Sequence, residues 1–233
     1  MTNIYKVLLA TGLVFALGAT QVASAAIITT SLGNTTPGFS DGSIQIASDI
    51  GLAQGGQPAP FDTGYGTDGL FGGNFSQGWT FNYGAISDTI LGASLTIGIY
   101  DHDSSASGDQ LASFGIEGND LTATLNGLFE AGGGAADAQY NEYTIALGAG
   151  LFSDLADGTS TVSLALQGLG LAPILFAGGF QETTTNGANL IFSTLTIETQ
   201  DAQTVPEPGS LALTGLGFLL LGIVRRRRAL PKA

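Results

Sequence analysis

Cysteine is absent from all 233 residues. That excludes disulfides, thiolate metal sites, iron–sulfur clusters and cysteine nucleophiles. Histidine occurs once, as His102, so no site can be built on two imidazoles. Positive charge is missing from the whole middle of the chain. The six basic residues are Lys6, Arg225, Arg226, Arg227, Arg228 and Lys232, and none lies between Ala26 and Thr204. That stretch holds eighteen of the nineteen acids, the other being Glu207. It therefore has no guanidinium or ammonium to grip a phosphate or carboxylate, and no lysine for a Schiff base. Such a region repels nucleic acid and anionic membrane surfaces. Its carboxylates rely on water, salt or divalent cations for screening. Apolar residues are plentiful at 44%, enough for one well-formed core and too many for wholesale disorder.

The two ends read as addresses. Lys6 precedes an apolar stretch from Val7 to Leu17, and Ala23-Ser24-Ala25 supplies small residues ahead of a cut before Ala26. Residues 1–25 have the order of a secretory signal peptide, with Ala23, Ala25 and Ala26 framing the cleavage site. At the other end, Val205-Pro206-Glu207-Pro208 precedes an apolar run from Leu211 to Val224, closed by Arg225 to Arg228. As a helix that run measures about 21 Å, short against a hydrocarbon core of about 30 Å. The arginines form a cytoplasmic stop and, with the flanking residues, make up part of the difference. A weak span of this kind suits a temporary anchor in the inner membrane, and Pro206 and Pro208 hold the preceding chain extended.

These three tail elements, in this order over Val205–Ala229, resemble the PEP-CTERM sorting signal of Gram-negative bacteria. The resemblance implies processing by an exosortase, a membrane-embedded cysteine protease-transpeptidase, near Pro206-Glu207-Pro208. It implies release or transfer to the cell surface, and an association with exopolysaccharide and biofilm. It implies nothing about the fold or chemistry of residues 26–204, and residues 230–233 are a short tail beyond it.

Between the addresses the pattern is that of strands. From Ile90 to Tyr100, Leu91, Ala93, Leu95, Ile97 and Ile99 alternate with small polar residues. The same period of two recurs at Ile44 and Ile46, at Leu121–Leu125, at Tyr143–Leu147, at Val162–Leu166 and in the run Asn189–Thr199. Threonine-rich polar faces and Gly/Asp/Asn punctuation favour antiparallel pairing. Asp157-Gly158 and Asn186-Gly187 are turn dipeptides, and residues 150–156 fit one short helical turn. The predicted fold is all-β: a single antiparallel β-sandwich, with a jelly roll as one form it can take. Two stretches break the rhythm: the long Gly-rich loop of residues 51–78, and residues 130–138 with three successive glycines. No internal repeat of useful length is present.

Several motifs match on paper only. Gly64 to Gly69 fits GxGxxG, but no strand precedes it and no helix follows, so it reads as a turn-rich loop. Gly38 to Gly42 fits GxSxG around Ser40 without the strand-to-helix turn a nucleophile elbow needs. The strongest chemical cluster follows the strongest strand: Asp101, Asp103, Ser105 and Asp109, with His102 expected as an exposed loop residue. Carboxylates and hydroxyls within one loop suit a hard cation such as Ca²⁺, and the same residues suit an ordinary polar turn. It is not an EF-hand, since Ala106 and Ala112 stand where that loop needs Gly and Glu. Trp79, Phe81 and Tyr83 share one strand face. Exposed, they would stack on sugar rings; otherwise they belong to the core.

Three functions fit. The first is a non-enzymatic surface or extracellular-matrix protein, exported, briefly anchored, and associated with exopolysaccharide. The second is a calcium-assisted carbohydrate-binding module. The third is a secreted hydrolase, which needs two acids facing each other in a cleft.

Overall fold

The computed structural model describes residues 25–68, 72–102, 108–132, 138–168 and 185–200. Nine strands account for most of them: β1 (Ala25–Gly33), β2 (Ser43–Ile44), β3 (Ser76–Asn82), β4 (Thr89–Tyr100), β5 (Leu111–Ile116), β6 (Asn119–Asp120), β7 (Gln139–Leu147), β8 (Thr159–Leu166) and β9 (Asn189–Gln200). Three helices join them: α1 (Ala47–Gln54), α2 (Thr122–Gly132) and α3 (Phe152–Leu155), the last entered through a 3₁₀ turn at Ala149–Leu151. The strands form a five-stranded sheet ordered β1-β9-β4-β7-β2 and a four-stranded sheet ordered β3-β8-β5-β6. Every strand pairing is antiparallel. With β2 set aside, the long strands alternate between sheets and the first pairs with the last, which is the order of a jelly roll. The all-β sandwich expected from the sequence is the fold.

Alternation explains the core. Trp79 and Phe81 on β3, Val162, Leu164 and Leu166 on β8, and Phe114 and Ile116 on β5 are buried. They share one hydrophobic cluster with Leu95, Ile97 and Ile99 of β4, Tyr143, Ile145 and Leu147 of β7, and Leu195 and Ile197 of β9. Successive side chains on a strand point to opposite faces, so each of these strands gives one row inward and one outward. A smaller cluster lies on α1, where Ile50 and Ala53 group with Tyr140, Ile191 and Phe192.

Five expectations need correction. Leu121, Ala123 and Leu125 do not lie on a strand, because α2 begins at Thr122. Leu121, Leu125, Leu128 and Phe129 fall at helical spacing and all pack on the core. The Asp120 carboxylate accepts hydrogen bonds from the Thr122 N–H (2.9 Å) and hydroxyl (2.5 Å), tying down the helix start. Five residues were too few to separate period two from period 3.6.

Ile44 and Ile46 do not line a buried strand face. β2 is two residues long, and both isoleucines are more than half exposed. Leu91 does not face inward with the rest of β4. The β4–β9 register shifts between Ile90 and Gly92, leaving Leu91 as the extra residue of a bulge. The phase flips there, so Ile90 is buried and Leu91 is 53% exposed.

The stretch 51–78 is not one loop. It contains the end of α1 and the start of β3, and between them Phe61 and Phe75 are fully buried. Asn186-Gly187 is no hairpin turn. Asn186 is buried, and its backbone carbonyl accepts from the Phe75 N–H at 2.7 Å. A Cβ on Gly187 would sit 2.7 Å from the Gly66 carbonyl carbon and the Thr67 nitrogen. Only glycine allows this approach of two backbones. The short helical turn near residues 150–156 and the Asp157-Gly158 turn are both found, the latter with Gly158 at φ 95° and Asp157 accepting from the Thr159 N–H at 2.8 Å.

Candidate functional surfaces

Asp101 follows β4 at φ 55°, and its carboxylate accepts a hydrogen bond from the Ala138 N–H at 2.8 Å. Asp109 lies just before β5, and its carboxylate accepts from the Asn126 Nδ2 at 2.6 Å. Both acids thus stitch loops to neighbouring elements, the polar-turn role expected of such residues. Asp103 and Ser105 lie outside the described residues. Among the described residues no three His, Asp or Glu side chains gather as a metal cluster.

His102 is not an exposed loop residue. It is 1% exposed, its Nε2 lies 2.8 Å from the Tyr143 hydroxyl, and its ring packs on Phe129 with centroids 4.0 Å apart. Its Nδ1 has no hydrogen-bond partner among the described residues. Burial lowers its pKa from 6.5 to about 3, so the ring is neutral at ordinary pH. The sequence carries one sign of this: Phe129 stands four residues after Leu125, the spacing that on α2 brings it onto the ring.

The aromatic trio is not a stacking platform. Trp79 and Phe81 face the core, and Trp79 meets Phe61 edge-on with centroids 5.8 Å apart. Tyr83 is half-buried, donates from its hydroxyl to the Leu155 carbonyl at 2.6 Å, and has its pKa pushed up to about 12 by burial and by Asp157 and Glu117. Large apolar rings at one strand face gain more from burial than from water.

A cavity of about 260 Å³ opens beside β7, lined in part by Asp41, Glu142, Asn141 and Leu128. Asp41 accepts from the Glu142 N–H at 2.9 Å, and Glu142 accepts from the Tyr140 hydroxyl at 2.8 Å. Each carboxylate thus already serves a donor of the protein's own fold. Burial, then the Glu142 hydrogen bond, raises the Tyr140 pKa, which keeps that hydroxyl a donor.

What the sequence did not reveal is a set of hydroxyl rows. Register places Ser31, Thr194, Thr96 and Thr144 side by side across β1, β9, β4 and β7. The hydroxyls of Ser31 and Thr194 are 2.8 Å apart, and those of Thr96 and Thr144 are 2.9 Å apart. Thr29, Thr196 and Ser94 form the next row. All seven residues are exposed or partly exposed. On the other sheet Thr80 and Thr161 pair at 3.1 Å. The alternation marked polar faces strand by strand; the rows exist only once strands from distant parts of the chain are aligned.

The first strand and the last share an end. Ala25 stands opposite Gln200, and Ala26 opposite Thr199. The expected signal cut therefore falls at the start of β1, beside the point where the C-terminal tail departs. Ala23, the motif residues Val205 to Pro208, the apolar run 211–224 and Arg225 to Arg228 lie outside the described residues. Among the described residues no helix is long and apolar enough to cross a membrane.

No curated protein matches the chain. Over 79% of its length it is similar to 14% of the dimeric latent form of PorU from Porphyromonas gingivalis, at 8% identity and a TM-score of 0.35. The chain thus corresponds to a small part of that structure. Residues 204–228 match the PEP-CTERM protein-sorting motif, in agreement with the tail signal read at Val205–Ala229.

Proposed function

We propose that this is a non-enzymatic surface or matrix protein, exported across the inner membrane, cut from its anchor by an exosortase, and held among exopolysaccharide by the hydroxyl face of its larger sheet. The observation that carries the reading is the row Ser31–Thr194–Thr96–Thr144 with its neighbour Thr29–Thr196–Ser94. Rows on adjacent strands repeat about every 4.8 Å, and successive rows on one face lie roughly 7 Å apart. Each hydroxyl donates and accepts, as sugar hydroxyls do. The two rows are themselves uncharged, Glu198 and Glu142 stand exposed next to them on β9 and β7, and the domain is anionic and without Lys or Arg, so the surface favours neutral polysaccharide and disfavours anionic chains. Asp41 and Glu142 act as hydrogen-bond acceptors for the fold, which supports a binding role over acid–base cleavage.

The test is co-sedimentation of the exported protein with the producing organism's exopolysaccharide, in calcium and in EDTA. The expected result is pelleting in both conditions, weakened by Thr96→Val with Thr194→Val, which keep the side-chain shape and remove the hydroxyls. Pelleting untouched by those changes removes the hydroxyl face from the account. Pelleting that needs calcium and is lost in Asp101→Asn favours the calcium-assisted binding module instead. Replacing Pro206, Glu207 and Pro208 by Ala should leave the full-length chain in the membrane fraction; release at the normal rate would overturn exosortase sorting.

A further inference from the structure

Among the described residues β1 is an edge strand of the larger sheet and, at nine residues, the longest edge strand; β3 has seven, and β2 and β6 have two each. Its pairing with β9 fixes which backbone groups are spent. The Asn34 N–H donates to the Ile191 carbonyl at 2.9 Å, one step beyond the Gly33–Phe192 pair. In an antiparallel ladder hydrogen-bonded positions alternate, so Leu32, Thr30, Ile28 and Ala26 face β9. The N–H and C=O groups of Ile27, Thr29 and Ser31 point the other way. Among the described residues no backbone group bonds to them.

Edges of this kind are normally blunted by lysine, proline, a bulge or a covering segment. The strand Ala25-Ala-Ile-Ile-Thr-Thr-Ser-Leu-Gly33 has neither charge nor proline, and its register against β9 is unbroken. Ile27 is 66% exposed upon it. The opposite edge of the sheet is treated differently. There β2 stops after two residues, and Asp41 takes up the Glu142 N–H beyond it.

We propose that β1 is the docking edge for a second copy of this chain, paired antiparallel along Ile27–Ser31 into one continuous sheet. Charge selects this occupant. Two copies of a domain with eighteen acids and no internal base repel wherever their acids meet, and β1 is a neutral strip on both. A strand paired antiparallel with itself is related by a two-fold axis, so the contact is self-complementary and closes as a dimer. Because the opposite edge is blunted, the sheet does not extend into a filament. Since Ala25 and Gln200 share one end of the domain, the C-terminal tails of the two partners depart from opposite ends of the pair. Dimers therefore join released copies, or copies on two apposed surfaces, and not neighbours anchored side by side with their strands upright. The proposal does not depend on polysaccharide binding.

The absence of native cysteine makes the test direct. Full-length chains carrying Ile27→Cys, Thr29→Cys or Ser31→Cys singly are expressed in the producing cell, and the surface and released fractions are treated with a bis-maleimide long enough to span four strand residues, about 14 Å. Ile44→Cys, exposed at the opposite edge, is the comparison. The expected result is a discrete cross-linked dimer from the β1 variants and none from Ile44→Cys. Adding Thr29→Glu to Ile27→Cys sets like charges across the pair and lowers the dimer roughly tenfold. Trp79 emission checks that this variant is folded, and Ser31→Glu replaces it if that emission changes. Absence of a dimer, equal cross-linking at residue 44, a ladder of larger species, or a dimer indifferent to both glutamates overturns the proposal.

Discussion

The single histidine and Tyr143 share a hydrogen bond inside the core, with Nε2 of His102 2.8 Å from the tyrosine hydroxyl and both rings stacked around Phe129. The pair joins the end of β4 to β7 and is closed over by α2. Asn186, far along the chain, donates to the His102 carbonyl at 3.0 Å and holds the backbone at the same point. A neutral imidazole is thus built into the fold.

Acid should therefore destabilise the protein through this one group. The folded pKa is about 3 and the ordinary value 6.5, so the unfolded chain takes up a proton that the folded chain refuses. Stability is unaffected by His102 above about pH 6.5 and falls as pH drops from there toward 3, by about 1.4 kcal/mol per pH unit at full slope. Urea midpoints of the mature protein from pH 7 to 4 measure this. His102→Gln should start lower and show a shallower pH dependence, by about one proton. An unchanged slope in that variant would show that His102 does not carry the effect.

Trp79 is the only tryptophan, and it is buried against Phe61. Its emission should lie toward the blue, resist quenching by iodide, and stay unchanged when saturating polysaccharide is added. Ready quenching would place the ring at the surface and restore the sugar-stacking reading. Trp79→Ala should cost about 3–5 kcal/mol of stability through the cavity it leaves.

The bulge in β4 predicts opposite outcomes for two adjacent residues. Ile90→Ser removes a buried side chain and should cost about 2–4 kcal/mol. Leu91→Ser changes an exposed one and should fall within about 0.5 kcal/mol of the parent. Comparable losses at both positions would mean the strand keeps the unbroken alternation of its sequence.

Gly98 sits under Phe192 and Tyr140, and an added Cβ would overlap the Phe192 ring and lie 2.7 Å from the tyrosine hydroxyl. Gly98→Ala should destabilise by about 1–3 kcal/mol, because a packed ring must leave its place. Equal denaturation midpoints for the two proteins would show that the cluster gives way freely.

The long strands were legible because each has one buried and one wet face, and that leaves a period of two in the residues themselves. β8 follows it residue by residue, and β7 does so from Asn141 onward. Where the period was sampled briefly, as at Leu121–Leu125, it was ambiguous, and the Asp120 cap and Phe129 four residues on decided for a helix. Leu91 failed for another reason: a bulge is an agreement between two strands, and β9 lies a hundred residues away. His102 failed likewise, since an aspartate on either side signals water while Tyr143, Phe129 and Asn186 supply the burial. The candidate surface was half legible. Thr96, Thr144 and Thr194 could each be assigned to a polar face, but not to one row.

The amino-acid order by itself determined the PEP-CTERM sorting motif of residues 204–228, because such a signal is a linear segment read before or apart from folding. It also determined the all-β class, since alternation and turn chemistry are local. Tertiary structure alone decided which aromatic face is dry, which carboxylates are already engaged, where hydroxyls align into rows, and that β1 has no strand beyond it among the described residues. Those properties depend on which distant strands become neighbours. That choice is made by packing two sheets around one core and is written in no single stretch of sequence.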